Sequence, residues 1–371
     1  MVFHHDEADG LTSAALAKLA LEKAGLETEL ICLDKLYPEV VEDVESRRGL
    51  VIAYVDLGSG HVDLLTKHNK AQNLIIVLDH HDTVESTDPL VLNLNPELDG
   101  FSGEKESSSA TVAYMFAKTL DPALSHYAYL GLIGSEELPG EIRGLNAKVA
   151  EDAVESGMVQ RTARGDFKTV SNGVSLTRSR ASTILNVLGS VGYYRGGPKV
   201  GVDASINGFD NQSVKWAESL EEERKEANRK MLAPIREKGL SQMNMVQWFH
   251  AHDNYAGMSG KVVGSFCSYL SYQRGVNPVK YLIGMMNVPP AIPGWGELPA
   301  PLVKVSGRAS RPLAGMIERG TRPPLSRILP EACARVGGFG DGHSVAASGV
   351  FPVGREDGFL EAIDGLASGR A

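Results

Sequence analysis

Short apolar runs alternate with helical patterns along the first part of the chain. Residues 2–3, 29–33, 50–57 and 74–78 are apolar and rich in β-branched side chains, whereas residues 11–24, 39–47 and 62–69 have apolar positions at helical spacing. A continuous apolar run of strand length is typical of a strand buried on both faces. Strands and helices that alternate in this way, joined by right-handed crossovers, predict an α/β fold with a parallel, doubly wound sheet.

The later part of the chain has a different pattern. Residues 212–238 are highly charged and predict one long, exposed connecting helix. Apolar runs at residues 243–249, 279–286 and 302–306, with a helical pattern at 260–273, indicate a smaller mixed α/β domain. Since 371 residues exceed what one core usually serves, we expect three parts: a first domain at 1–165, a connecting region at 166–242 and a second domain at 243–371.

Composition and charge narrow the function classes. The formal net charge of −9 argues against a protein that coats nucleic acid by bulk electrostatics. Residues 304–335 nevertheless carry seven basic and two acidic side chains. The excess of arginine there favours a groove for a single-stranded backbone.

Cysteine use and hydropathy indicate the compartment. Cys32, Cys267 and Cys333 are far apart and lack metal-type spacing, so we expect reduced thiols. No apolar run approaches the roughly 18 residues of a spanning helix, and the N-terminus lacks a signal-peptide pattern. We therefore expect a cytoplasmic protein that has no membrane partner.

Candidate metal ligands follow the predicted strands where each strand ends. The carboxyl ends of neighbouring parallel strands meet at one edge of a sheet, where α/β proteins place their chemistry. Clustered imidazoles and carboxylates suit two hard or borderline cations, which together can promote phosphoester hydrolysis. The chain has neither a P-loop nor a G-x-S-x-G elbow. The candidates are His5, Glu7 and Asp9 after the first strand, Asp56 near the end of the third, and Asp79, His80 and His81 after the fourth.

A glycine-rich segment near the C-terminus is the second candidate for function. Residues 337–349 read G-G-F-G-D-G-H-S-V-A-A-S-G, with His343 as their one imidazole. We expect a loop whose small residues let a helix N-terminus approach an anion closely.

These motifs together resemble the DHH phosphoesterase superfamily, and within it the RecJ-like single-strand nucleases of archaeal type. The segment from His5 to Gly10 resembles the first family motif, Val55 to Gly58 the second and Leu78 to His81 the third. The segments around Arg308 and His343 are similar to the DHH-associated C-terminal domain. Four motifs in the family's order make the resemblance specific.

The resemblance implies a site for two Mn²⁺ or Mg²⁺ ions in a cleft between the domains. One ion would be held by His5, Glu7 and Asp56, and the other by Asp9, Asp56 and His80, with Asp56 as the bridge. His81 would face the scissile phosphate and Asp79 would orient an imidazole. Arg308 and His343 would grip the phosphate, and the remaining implied substrate contacts are Gly337, Gly338, Gly342 and Arg311.

Two positions depart from the family pattern. Glu7 stands where the family has Asp, and Ser135 stands where the fourth motif ends in Asp, so Glu136 or Glu137 would have to supply the missing carboxylate. Our leading hypothesis is an exonuclease that hydrolyses single-stranded DNA or short RNA. The alternatives are a weakened family member that acts as a nucleic-acid-binding or replisome scaffold, with replication or repair proteins as partners, and a phosphoesterase for cyclic dinucleotides, nanoRNA or bisphosphates.

Overall fold

The computed structural model describes residues 1–162 and 166–369, which form two compact units. The N-terminal unit comprises Met1–Leu220 with Ile292–Gly296, and the C-terminal unit comprises Glu221–Ala291 with the described residues from Glu297 onward. Within these ranges, no helix is both long and apolar enough to cross a membrane.

The N-terminal unit is built on a five-stranded parallel sheet, as predicted. Its strands are β1 (Val2–His5), β2 (Leu30–Leu33), β3 (Val51–Val55), β4 (Leu74–Leu78) and β5 (Val91–Leu94), in the order β2-β1-β3-β4-β5. The fifth strand was not predicted from the sequence. This strand lies at the edge of the sheet, with Leu92 and Leu94 exposed. An edge strand does not need the continuous apolar run that marks strands buried on both faces.

Helices surround this sheet. The first helix, α1 (Ala8–Lys23), is alanine-rich and buried along most of its length. It packs against two later helices, α4 (Ser109–Leu120) and α5 (Ala128–Gly134). Three further strands, β6 (Val159–Arg161), β7 (Phe167–Ser171) and β8 (Val174–Thr177), form a small antiparallel sheet. Further elements are α2 (Pro38–Glu45), α3 (Val62–Asn69), α6 (Gly144–Glu155), α7 (Arg178–Asn186) and α8 (Gly197–Asn207). The predicted long charged helix is α9 (Asn211–Lys238).

The C-terminal unit is a smaller mixed α/β domain, again as predicted. Its six-stranded sheet has the order β15-β16-β14-β11-β10-β9, in which only the β10–β11 pair is parallel. The elements from α9 onward are β9 (Ser241–Gln242), β10 (Val246–His250), α10 (Lys261–Leu270), β11 (Tyr281–Val288), β12 (Ala291–Ile292), β13 (Gly296–Glu297), β14 (Leu302–Arg308), α11 (Arg311–Glu318), α12 (Leu325–Arg335), β15 (Phe339–Gly342), β16 (Ala346–Pro352) and α13 (Glu356–Ala367).

The glycine-rich segment differs from its prediction, because it leads into a strand rather than into a helix N-terminus. Gly337 follows α12 with φ 83°, and its N–H donates to Ala334 O, so it ends that helix. Residues 339–352 then form the β15–β16 hairpin. A Cβ at Gly338 would lie 2.0 Å from Val350 O, and one at Gly342 would lie 2.4 Å from Ala347 Cα. These glycines are therefore required by close backbone packing, and the small residues after them belong to a strand.

Candidate metal centre

The candidate ligands lie at the topological switch point of the parallel sheet. Strands β1 and β3 are neighbours, with β2 on the outer side of β1 and β4 on the outer side of β3. In such sheets the crevice at the carboxyl ends of the two central strands is the usual ligand site. His5 ends β1, Asp56 follows β3 and Asp79 follows β4, so the topology gathers the three motifs at one edge.

Asp56 faces two imidazoles with its two carboxylate oxygens. Its Oδ2 is 3.6 Å from His5 Nδ1, and its Oδ1 is 3.7 Å from His80 Nε2. The residue is 3% exposed and has φ 60°, a left-handed backbone that few non-glycine residues adopt. The strained turn places one carboxylate between the two histidines, which is the arrangement a bridging ligand requires.

Each imidazole has a second carboxylate beside it. His5 Nδ1 is 3.5 Å from Glu7 Oε2, and His80 Nε2 is 3.6 Å from Asp9 Oδ2. His80 Nδ1 donates to Gly103 O at 2.7 Å, which leaves Nε2 with a lone pair directed at the carboxylates. The predicted ligands therefore fall into two sets that share Asp56.

Asp79 lies beneath this cluster and holds the His81 side chain. The buried Asp79 carboxylate accepts from Ser59 N at 3.0 Å, from His80 N at 2.8 Å and from His81 Nδ1 at 2.7 Å. The His81 side chain is 48% exposed. Asp79 therefore orients the half-exposed imidazole of His81, while His80 Nδ1 is held by a backbone carbonyl.

The pKa directions reflect how closely these groups are packed. Burial raises the pKa of Asp56 well above its ordinary value, and the charge of Asp9 raises it further. Burial lowers the pKa of His81, but the charge and hydrogen bond of Asp79 outweigh burial and raise it to about 10. The same pair holds the pKa of Asp79 below its ordinary value although burial opposes this. The His81–Asp79 pair is thus charged, and Asp56 lies where a cation would stabilise its ionised form.

The residues fit divalent cations. With metal–ligand distances of roughly 2.1 Å, two ligand atoms on one ion lie at most about 4.2 Å apart, and the separations of 3.5–3.7 Å above fall within that limit. In addition, Asp56, His80 and His81 each offer a ligand atom within 4.8 Å of the others. His81 Nδ1 lies 4.0 Å from Asp56 Oδ1, at the edge of this cluster.

The residues of the fourth motif, at positions 134–136, make contacts other than the metal contact that the resemblance implies. Ser135 is buried, and its Oγ donates to Leu132 O at 2.9 Å. Glu136, which the sequence offered as a substitute ligand, forms an ion pair with Arg178. A Cβ at Gly134 would lie 2.5 Å from Asp9 Oδ1, so this segment packs directly on the carboxylate of Asp9.

The remaining predicted site residues lie in the C-terminal unit. Arg308 ends β14 and is partly buried. His343 is exposed in the turn between β15 and β16, where its N–H donates to Ala346 O at 2.8 Å. Arg311 is exposed at the start of α11. Their roles toward a substrate stay predictions.

Sequence reasoning missed the contacts by which the start of α4 completes the centre. At the N-terminus of α4, the N–H groups of Ser109 and Ala110 donate to the two Asp9 oxygens at 2.9 and 2.7 Å. Ser109 Oγ donates to Asp56 Oδ1 at 2.8 Å. The run Ser107-Ser108-Ser109 before an apolar helix is a helix-start signal, but it does not say which carboxylates the helix will face.

The part of the chain that carries the candidate ligands also matches a known sequence family. Residues 1–135 match the sequence model of the DHH family, N-terminal domain. Residues 1–135 therefore form a domain that matches the DHH family. An uncharacterised protein of Methanocaldococcus jannaschii is 28% identical over 162 residues, which are 42% of this chain and 36% of that protein. The matched region thus spans about a third of that relative's length.

Solved structures share the fold over nearly the whole chain. The manganese-bound exonuclease RecJ has a TM-score of 0.62 at 16% identity, over 99% of this chain and 89% of that one. RecJ of Thermus thermophilus in complex with Mn²⁺ gives 0.59 at 15%, over 99% and 51%. CDC45 of Entamoeba histolytica gives 0.59 at 11%, over 99% and 95%. At these identities the likeness shows only that the chain has a RecJ-like fold.

Proposed function

We propose that this protein is a phosphodiesterase that uses Mn²⁺ or Mg²⁺ to remove nucleotides from an end of single-stranded DNA or short RNA. The observation that carries the proposal is the position of Asp56, whose two oxygens face two separate ligand sets. A two-ion centre for phosphoester hydrolysis needs one shared carboxylate of this kind.

The side chains of the centre would have distinct roles in this reaction. His5, Glu7 and Asp56 would hold one ion, and Asp9, Asp56 and His80 the other. When bound, the two ions would activate a water molecule and neutralise charge on the phosphate. His81, kept charged by Asp79, has its Nδ1 engaged and would offer Nε2–H to a phosphate oxygen as negative charge develops there.

The charge of the C-terminal unit supports a polymeric substrate. Among the described residues, four arginines between positions 311 and 327 have no carboxylate partner, whereas Arg335 pairs with Glu331. Unpaired arginines on the surface of an acidic protein suit a phosphate backbone. The four are Arg311, Arg319, Arg322 and Arg327. With Arg308 and His343 as phosphate contacts, the C-terminal unit would bind the substrate.

Hydrolysis of end-labelled substrates tests the proposal. We expect the protein to shorten single-stranded DNA or RNA in the presence of Mn²⁺ and to stop when a chelator is added. The double variant Asp56→Ala, His80→Ala should be inactive, whereas the control Asp82→Ala, His126→Ala, which alters two exposed residues, should retain activity. Release of no product with either metal would refute the nuclease, and cleavage restricted to cyclic dinucleotides, nanoRNA or bisphosphates would identify a small-nucleotide phosphoesterase.

A scaffold that binds nucleic acid without cutting it is the second candidate. The contacts of the fourth motif favour it, because Ser135 bonds to Leu132 O and Glu136 pairs with Arg178. In that case the protein would bind single strands as part of a replication or repair assembly.

The substitution Ser135→Asp tests whether the fourth motif faces an ion. A buried carboxylate should lower the melting temperature without metal. Mn²⁺ should then raise it by more than in the wild type if position 135 faces an ion. The control is Ser135→Asn, because asparagine is similar in shape to aspartate but carries no charge. An equal Mn²⁺ response in all three proteins would show that the centre does not use this position.

A further inference from the structure

The Arg308 guanidinium is fixed by neighbours within the C-terminal unit. Its Nε donates to Ser268 Oγ at 2.9 Å, and its Nη1 donates to Ser306 Oγ and to Gly307 O, both at 2.8 Å. A guanidinium presents its N–H donors in one rigid plane. Bonds from two different nitrogens therefore set both the position and the orientation of that plane.

The residues around Arg308 come from two elements at regular spacings. Gly264 and Ser268 are four residues apart on α10 and share one helix face. Ser306 and Arg308 are two residues apart on β14 and point to the same side of the sheet. A Cβ at Gly264 would lie 3.2 Å from both Arg308 Nη2 and Ser306 Oγ, so any side chain there would press on the guanidinium.

We infer that Gly264, Ser268 and Ser306 hold Arg308 in the orientation in which it binds a phosphate group. The inference rests on the phosphate role proposed for Arg308 above. A long, mobile side chain loses conformational freedom when it binds, and an arginine already fixed by hydrogen bonds avoids most of that loss. Ser268 is thus a positioning residue that acts through Arg308.

A purely structural role makes different predictions. If Arg308 only ties α10 to β14, loss of the Ser268 bond should lower stability and leave anion binding unchanged. The variant Gly264→Ala separates the two roles, because alanine favours a helix interior over glycine while its methyl group displaces the guanidinium. We expect Gly264→Ala to be at least as stable as the wild type and still to bind phosphate more weakly.

The first measurement is the Arg308 Nε–H signal in nitrogen-15 NMR of the full chain. We expect a slowly exchanging signal in the wild type, its loss in Ser268→Ala and its return in Ser268→Thr, which keeps the hydroxyl. Ser265→Ala, exposed on the same helix, is the matched control and should leave the signal unchanged. A signal that is equally protected in Ser268→Ala would overturn the inference.

The second measurement is binding of a fluorescein-labelled (dT)6 oligonucleotide by anisotropy with Mn²⁺, in an Asp56→Ala background that prevents cleavage. Ser268→Ala and Gly264→Ala should each weaken binding about 3- to 10-fold, the range expected from one hydrogen bond. Arg308→Ala should weaken it more. Ser268→Thr and Ser265→Ala should stay within about twofold of the background protein, as expected when no hydrogen bond is lost.

The outcomes distinguish this inference from the proposed function. If Arg308→Ala weakens binding and Ser268→Ala does not, positioning by Ser268 is wrong while the phosphate role of Arg308 stands. If the oligonucleotide does not bind, or binds equally to Arg308→Ala, the proposed substrate contact fails and the inference fails with it. In that case, an NMR signal that still depends on Ser268 would identify the contact as structural.

Discussion

At the scale of single residues, Asp79 supports the centre although we expect it to contact no ion. Its carboxylate accepts two backbone N–H groups of the turns after β3 and β4, and also the imidazole N–H of His81. Each of these donors is partly or fully buried and would lose its acceptor if the carboxylate were removed. One side chain therefore fixes both the turn that carries His80 and the orientation of His81.

We expect Asp79→Ala to lower both the free energy of unfolding and the affinity for Mn²⁺. Buried donors without acceptors cost about 1–3 kcal/mol of the free energy of unfolding. Loss of a group that orients ligands lowers metal affinity roughly 10- to 100-fold. Urea denaturation in chelator measures the first effect and Mn²⁺ titration calorimetry the second. The exposed neighbour Asp82→Ala is the control, and equal Mn²⁺ affinity in both variants would contradict the role given to Asp79.

At the scale of elements, two helices place polar groups against the buried sheet. The N-terminus of α4 directs two N–H groups and the positive end of its dipole at Asp9. The last residue of α2, Glu45, is fully buried and accepts from the Tyr54 hydroxyl on β3 at 3.1 Å. Burial raises the pKa of Glu45 to about 8, against a weaker opposing effect of the Tyr54 bond.

The raised pKa of Glu45 makes stability depend on pH. Between its ordinary value near 4.5 and about 8, the folded protein holds a proton that the unfolded chain has released. The free energy of unfolding should therefore fall as pH rises through this window, by at most about 1.4 kcal/mol per pH unit from this group.

The substitution Glu45→Gln tests this dependence. Glutamine keeps an acceptor for Tyr54 and carries no charge, so its stability relative to the wild type should increase from about pH 5 to pH 8 and then level off. Urea denaturation at several pH values measures the difference. Glu42→Gln, exposed on the same helix, is the control. A constant difference between Glu45→Gln and the wild type across the window would contradict the prediction.

At the scale of the whole molecule, charge is unevenly distributed. The chain carries a formal charge of −9, yet the segment from Arg311 to Arg327 contains four arginines without an acidic partner among the described residues. The general acidity opposes non-specific binding of nucleic acid, whereas these arginines would attract the backbone of the proposed substrate. The affinity for a single strand should therefore fall as the salt concentration rises, with a slope set by a few arginine–phosphate contacts.

Replacing two of these arginines should reduce the salt dependence of binding. Each phosphate contact on a single strand contributes roughly −0.7 to the slope of log K against log salt, so Arg319→Ala with Arg327→Ala should make the slope shallower by about 1.4. Anisotropy titrations of a labelled (dT) oligonucleotide at several salt concentrations measure it. Arg229→Ala, a surface arginine paired with Glu226, should leave the slope unchanged. An unaltered slope in the double variant would exclude these two arginines from the binding surface.

The sequence by itself determined the apolar strands β1–β4, β10, β11 and β14, most helices and the residues that gather at the sheet edge. Buried strands and amphipathic helices have local periodicities, and the parallel order brings the carboxyl ends of strands together. His5, Asp56 and His80 could therefore be predicted from the sequence to lie close together, as they do. The edge strand β5 and the hairpin at residues 339–352 were missed, because neither has a pattern that distinguishes it from a loop.

Only the tertiary structure decided which groups complete the centre. Ser109 lies 53 residues from Asp56 and 100 from Asp9 in sequence, and it reaches both through the packing of α4 against α1. Glu136 pairs with Arg178 because α5 and α7 pack together. Contacts between distant segments depend on packing geometry rather than on local preference. The sequence thus identified the candidate ligands, and the fold determined what surrounds and orients them.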